Sequence, residues 1–162
     1  MVAMLSLDLH KTTLSNPFAK KNQAQTKAYY SDLIYSHFWQ GEYFYDDLEK
    51  KEYIAGDAQV FPLILGLIED EKEIKTMIQK VHDNNLTSPL PLRYTKNRND
   101  AKFILQELFF FYNYEGDTSW THMGPLWIKA IEKYNPELAK EYTNNYTKHI
   151  EKEKAFCEVV TT

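Results

Sequence analysis

The densest group of side chains that could do chemistry lies at residues 112–122. It includes Glu115, Asp117, Thr118, Trp120 and His122. A sugar presents hydroxyls at its edges and C–H groups on its faces, so a carbohydrate pocket combines carboxylates with aromatic rings. The group has that combination, and we predict that it forms a loop leading into a helix, where a site is held by the helix end. The same residues also allow a purely structural interpretation, in which Trp120 is core and the acids cap the helix.

A second polar group, at residues 53–59, precedes an apolar stretch and contains Asp57 and Gln59. Asp57 is typical of a helix N-cap, and we predict that it opens a helix reaching Ile68. Pro62 would then lie in the first turn, where its missing N–H costs nothing. Both residues are also candidates for contact with a sugar, and the sequence leaves the two interpretations open.

Other site classes lack the residues they need. Asp46 and Asp47 are adjacent acids without further spaced ligands, the five histidines show no metal-ligand spacing, and Cys157 is the single cysteine. No glycine-rich phosphate loop is present, and the net charge is −4. We therefore expect no metal, no cofactor and no nucleic-acid partner.

Helical periodicity supplies the elements that must position these groups. Residues 23–39 carry apolar side chains at three- and four-residue steps, and Asp70 with Glu73 has the form of a capping box. A second pair of helices is predicted at 123–134 and from 137 to about 155, with Asn135 as N-cap and Pro136 at the first helical position. Short connections make each pair a helical hairpin, so the predicted fold class is mainly α.

The remaining segments are predicted to be irregular. Residues 41–53 and 84–99 lack a helical period, and the second stretch contains Pro89 and Pro91. We expect a single domain over the 162 residues, with an extended or poorly ordered segment at 1–22. The opening residues do not have the pattern of a signal peptide, and no apolar run approaches the roughly 20 residues that span a membrane. The expected location is the cytoplasm, away from membranes.

Three segments resemble the six-hairpin, or (α/α) toroid, glycosidases of the glucoamylase-like, debranching and processing-α-glucosidase types. Residues 56–68, GDAQVFPLILGLI, resemble an inner-helix segment of that superfamily. Residues 114–122, YEGDTSWTH, resemble the segment that opens the next inner helix, and residues 156–162, FCEVVTT, are similar to the strand or loop with a late catalytic glutamate. The resemblance covers the chain from about Tyr29 onward and corresponds to the later half of a family domain.

The resemblance implies part of an (α/α) toroid that hydrolyses an α-linked glucan or oligosaccharide. Glu158 would be the general base that activates water, and the general acid would be Glu115, Asp117 or Asp57, none of which matches the family's acid. The sugar site implied by the resemblance and the polar groups would be lined by Trp120, His122, Tyr114, Asp57 and Gln59.

An unclosed toroid would expose apolar helix faces, which proteins in water cover by association. We therefore expect a homo-oligomer or association with a missing half-domain. The alternative function is a non-catalytic helical module that binds carbohydrate or protein through the same aromatic loop.

Overall fold

The computed structural model describes residues 27–100 and 116–161, and this part of the chain is mainly helical. Its elements, in chain order, are α1 (Lys27–Phe38), α2 (Gly56–Ile64), α3 (Glu71–Asp83), β1 (Ser119–Trp120), α4 (Met123–Ile131), α5 (Pro136–Glu153) and β2 (Val159–Val160). The mainly α prediction is confirmed. Among the described helices, none has the length and apolar character needed to cross a membrane. The segment predicted at 1–22 lies outside the described residues.

The helix starts predicted at α3 and α5 are confirmed. The side chain of Asp70 accepts from the backbone N–H of Glu73 at 2.9 Å, and that of Asn135 accepts from Leu138 at 3.2 Å. Both bonds satisfy donors that a helix leaves unpaired in its first turn. The carboxylate of Glu73 accepts a hydrogen bond from the Tyr35 hydroxyl, which ties α1 to α3.

The predicted start of α2 was wrong. The helix begins at Gly56, and its N-cap is Ala55, which makes no side-chain cap bond. Asp57 therefore lies in the first turn, where its Oδ1 accepts from the N–H of Ala58 at 2.9 Å. Pro62 falls in the second turn, not the first, and α2 ends two residues later at Ile64. A proline in a helix interior removes one backbone hydrogen bond, and here it accompanies an early end.

The two hairpins, α2 with α3 and α4 with α5, pack against each other. Helix α2 contacts α3, α4 contacts α5, and α2 packs against α4. Helices α3 and α5 are amphipathic: α3 buries an apolar stripe and exposes charged residues such as Glu71 and Lys72. By contrast, α2 and α4 are apolar on nearly every side. Their composition is typical of helices enclosed by neighbours, yet Phe61 of α2 and Leu126 of α4 are exposed.

An extended stretch at residues 90–95 joins the N-terminal ends of α2 and α4. The N–H of Gly56 donates to the carbonyl of Tyr94 at 2.8 Å, and the N–H of Tyr94 donates to Thr118 at 3.1 Å. The backbone N–H of Trp120 donates to the carbonyl of Leu92 at 2.9 Å. The hydroxyl of Ser119 donates to the carbonyl of Leu90 at 2.7 Å. Because β1 leads directly into α4, both helices start at the same end of the molecule.

Two glycines allow this close approach. A Cβ at Gly56 would overlap the Arg93 carbonyl and the Leu92 side chain, and a Cβ at Gly124 would overlap the Pro91 carbonyl and the Tyr146 hydroxyl. The obstacles include backbone atoms, which cannot move aside as a flexible side chain can. Helices α2 and α4 thus each carry a glycine where the extended stretch crosses them.

Burial perturbs two tyrosines of α5 that pack beneath this crossing. Tyr142 and Tyr146 are buried, and their hydroxyls bond to His82 at 2.9 Å and to the Pro91 carbonyl, respectively. Burial raises the pKa of Tyr142 to about 12 and raises the pKa of Tyr146 further. The neutral phenols are therefore part of the folded state.

Replacing Gly124 with Ala should destabilise the protein by about 1–3 kcal/mol, because the new methyl group has no room against Pro91 and Tyr146. The same change in an open helix position normally stabilises, since alanine is the better helix former. The free energy of unfolding from urea titration checks this. The exposed Asn144→Ala on α5 is the control and should be neutral or slightly stabilising. A Gly124→Ala protein as stable as wild type would contradict the crossing described here.

Stability should fall between pH 10 and pH 12. Tyr142 keeps its proton in the folded state up to about pH 12, whereas an unfolded tyrosine loses it near pH 10. The folded state then binds more protons, so the free energy of unfolding decreases as pH rises through this window and is unaffected below it. Urea titrations across this window should show the free energy of unfolding decreasing with pH. The slope gives the number of protons released on unfolding, and Tyr142→Phe should lower that number by about one. An unchanged slope would contradict the assignment.

Candidate functional site

Three aromatic rings stand side by side where α2 and α4 begin. The rings of Tyr94 and Trp120 are stacked, with centroids 5.5 Å apart and planes 15° apart, and the ring of Trp120 lies 5.3 Å from that of His122. Tyr94 and Trp120 are half-buried, while His122 is exposed. We call these three residues the aromatic row. The rings of Tyr94 and Trp120 partly cover each other, and each residue keeps part of its surface in solvent.

Glu158 lies beside this row. Strands β1 and β2 are antiparallel, with Trp120 opposite Val159, which places Glu158 next to Thr121. The carbonyl of Glu158 accepts from both the N–H and the hydroxyl of Thr121, each at 3.0 Å, and the same hydroxyl also bonds to the carbonyl of Cys157. The backbone of Glu158 is therefore fixed opposite Thr121, the residue that separates Trp120 from His122 in the sequence, and Glu158 is exposed.

Asp117 is engaged by a buried arginine. Its carboxylate forms an ion pair with Arg93 at 3.4 Å, and the Nε of Arg93 donates to the Asp117 carbonyl at 2.8 Å. A further guanidinium nitrogen donates to the Lys96 carbonyl at 3.1 Å. Burial lowers the pKa of Arg93, and the Asp117 carboxylate acts in the opposite direction. These bonds hold the chain just before the aromatic row.

Asp57 borders a separate cavity. The cavity, about 270 Å³ in volume, lies between α1 and α2, and Asp46 also lines it. The Asp46 carboxylate accepts from the Tyr53 hydroxyl at 2.6 Å. Burial, followed by this hydrogen bond, raises the pKa of Tyr53 well above its ordinary value. Asp57 directly follows Gly56, whose N–H donates to the carbonyl of Tyr94 in the aromatic row.

Gln59 does not reach the surface. It is fully buried, and its amide nitrogen donates to the carbonyls of Phe44 and Ala55, both at 2.9 Å. Its amide oxygen accepts from the N–H of Phe44 at 2.9 Å. The predicted contact between Gln59 and a sugar is therefore corrected to a structural role: the side chain anchors the loop around Phe44 against α2.

The structure places five of the predicted site residues near the N-terminal ends of α2 and α4: Asp57, Asp117, Trp120, His122 and Glu158. Glu115 and Tyr114 lie outside the described residues. Sequence reasoning missed Tyr94, because the proline-containing stretch 84–99 was predicted to be a loop. The prolines were the available signal, since a residue that precedes proline is biased toward extended backbone.

The described residues contain no group of three or more His, Cys, Asp or Glu side chains arranged to hold a metal ion. The acids near the row are instead separated by aromatic and backbone groups. What the arrangement offers chemically is a group of aromatic rings whose neighbours along the backbone include Asp57, Asp117 and Glu158.

Replacing Gln59 with Leu should destabilise the protein by roughly 1–3 kcal/mol, because the buried N–H of Phe44 and two carbonyls lose their partner. Thermal or urea unfolding measures the loss. Gln79→Leu, at an exposed position of α3, is the matched control and should have little effect. A Gln59→Leu protein that is as stable as wild type but no longer binds its ligand would instead indicate that Gln59 belongs to the binding site.

Comparisons with known proteins do not add to this description. A scan against protein-family models, a search of curated proteins and a search of solved structures each find no match.

Proposed function

We propose that the protein is glycosidase-like and binds an α-linked glucan or oligosaccharide on the aromatic row. The observation that carries the proposal is the stacked pair Tyr94 and Trp120, next to the position where Thr121 holds the backbone of Glu158. Pyranose rings place their C–H faces on such aromatic surfaces, and their hydroxyls bond to carboxylates at the rim. The ring edge of His122 supplies a further polar contact.

We propose further that the two hairpins are consecutive units of a partial (α/α) toroid. Helices α2 and α4 would be inner helices, which explains why they are apolar on nearly every side. Helices α3 and α5 would be outer helices, which have one apolar stripe and one charged face. The row would then lie at the N-terminal ends of the inner helices.

Hydrolysis would use two carboxylates on opposite sides of the row. Glu158 is the proposed base that activates water, and Asp57 is the proposed acid, because it follows Gly56, whose N–H donates to the carbonyl of Tyr94. An inverting mechanism needs the two carboxyl groups at about 6.5–9.5 Å, which leaves room for the water. Asp117 is a weaker choice for the acid because its carboxylate pairs with Arg93.

Binding without hydrolysis is the second candidate. The exposure of Glu158 favours it, because a general base is more effective in a site from which water is excluded. The aromatic row alone is sufficient for binding. The two candidates differ in whether Glu158 matters to the chemical step.

Glucose release from maltose, isomaltose, trehalose and a soluble glucan tests the proposal, with binding of the same sugars followed by calorimetry. We expect Glu158→Gln to lower kcat by roughly 10²–10⁴-fold, the usual contribution of a general base, while leaving sugar affinity nearly unchanged. Trp120→Ala should weaken binding by about tenfold, because it removes the stacking surface.

Glu151→Gln, an exposed carboxylate of α5, is the matched control and should leave both measurements unchanged. Binding that depends on Trp120 without any release would support the second candidate. A folded protein that binds none of these sugars would contradict both.

A further inference from the structure

Helices α2 and α4 carry large apolar side chains that none of the described residues covers fully. On α2, Asp57, Phe61 and Ile64 follow one another at four- and three-residue spacing, so they share a stripe. Phe61 is 42% exposed and Ile64 is 40% exposed. We call this stripe the α2 ridge. It presents two large apolar side chains with a carboxylate at its N-terminal end.

A groove lies between α4 and α5, with a volume of about 700 Å³. Its apolar lining includes Pro125, Ile128, Ile150 and Phe156, and we call it the α4–α5 groove. Phe156 is 55% exposed and Ile150 is 38% exposed. A groove of this kind fits the apolar stripe of a helix, whose anchors recur at i, i+4 and i+7.

The ridge and the groove are complementary in charge. Lys129 and Lys140 line the groove together with one acid, Glu132. The α2 side carries carboxylates, Asp57 on the ridge and Asp46 in the adjoining cavity, and no basic residue lines that cavity. Opposite charges at the rim of an apolar contact guide its orientation and oppose pairing of a surface with itself.

The internal contact between α2 and α4 leaves the ridge and the groove exposed. These two apolar helices already pack against each other through their buried sides. We propose that the α2 ridge of one copy docks into the α4–α5 groove of a second copy. The contact is heterologous, because it joins different surfaces of the two copies. A dimer therefore has one free ridge and one free groove, and further copies add until a ring closes or a filament forms. This proposal does not depend on carbohydrate binding.

Sedimentation velocity and light scattering on the full chain over a wide concentration range test the proposal. Wild type should increase in mass with concentration. Phe61→Glu on the ridge and Ile150→Glu in the groove should each weaken association by about tenfold or more, because each replaces an apolar anchor of the contact with a hydrated carboxylate. Leu48→Glu is the matched control: this residue is 67% exposed, lies outside both surfaces and should not change association.

Mixing the two variants gives the decisive result. The Ile150→Glu protein retains an intact ridge, and the Phe61→Glu protein retains an intact groove. An equimolar mixture should therefore form a one-to-one complex that grows no further. Circular dichroism establishes that each variant is folded, and Ile64→Glu with Phe156→Glu replaces the pair if either is not.

Four results would overturn the proposal. The first two are a wild type that stays monomeric at every concentration and a pair of variants that both still associate. The other two are a mixture that does not form the complex and an association that only one of the two substitutions blocks, which would indicate a symmetric contact. A monomer whose thermal stability falls with Ile150→Glu would show that the groove is filled by the chain itself.

Discussion

The crossing of residues 90–95 over the starts of α2 and α4 is the constraint on which the rest of the structure depends. The backbone groups of this stretch are paired with Gly56, Thr118 and Trp120, and buried peptide groups are costly when they lack a partner. The two helix starts are therefore held at a fixed spacing by hydrogen bonds that have few alternatives. Glycine at both crossings is what lets the backbones approach closely enough for these bonds to form.

The same crossing explains why the aromatic row forms. Tyr94 lies at the end of the extended stretch and Trp120 at the end of β1, so the backbone bonds that join the two segments also bring the rings together. The row is made from residues distant in sequence, and no local motif contains it. Its position at the helix starts leaves the later turns of α2 and α4 for packing against other helices.

Much of the helical framework could be predicted from sequence, because its signals are local. Asp70 and Asn135 are capping residues whose side chains bond within three residues, and their helices begin where expected. The start of α2 could not be predicted this way, since Ala55 has no capping side chain and Gly56 is instead bonded to Tyr94. Gln59 was misassigned for a related reason. Its partners lie at Phe44, fifteen residues away, and polarity alone does not show burial.

The two carboxylates proposed to flank the row differ in how firmly they are held. Asp57 belongs to a helix that packs against two others, whereas Glu158 is attached through Thr121 to a ribbon of two-residue strands. So short a ribbon has little stability of its own, and segments with few buried contacts open at low free-energy cost. Aromatic stacking would survive such opening, but water activation by Glu158 would not. The proposed binding and hydrolysis would therefore depend on parts of the structure with different stability, and the Thr121 contacts would set how closely the two are coupled.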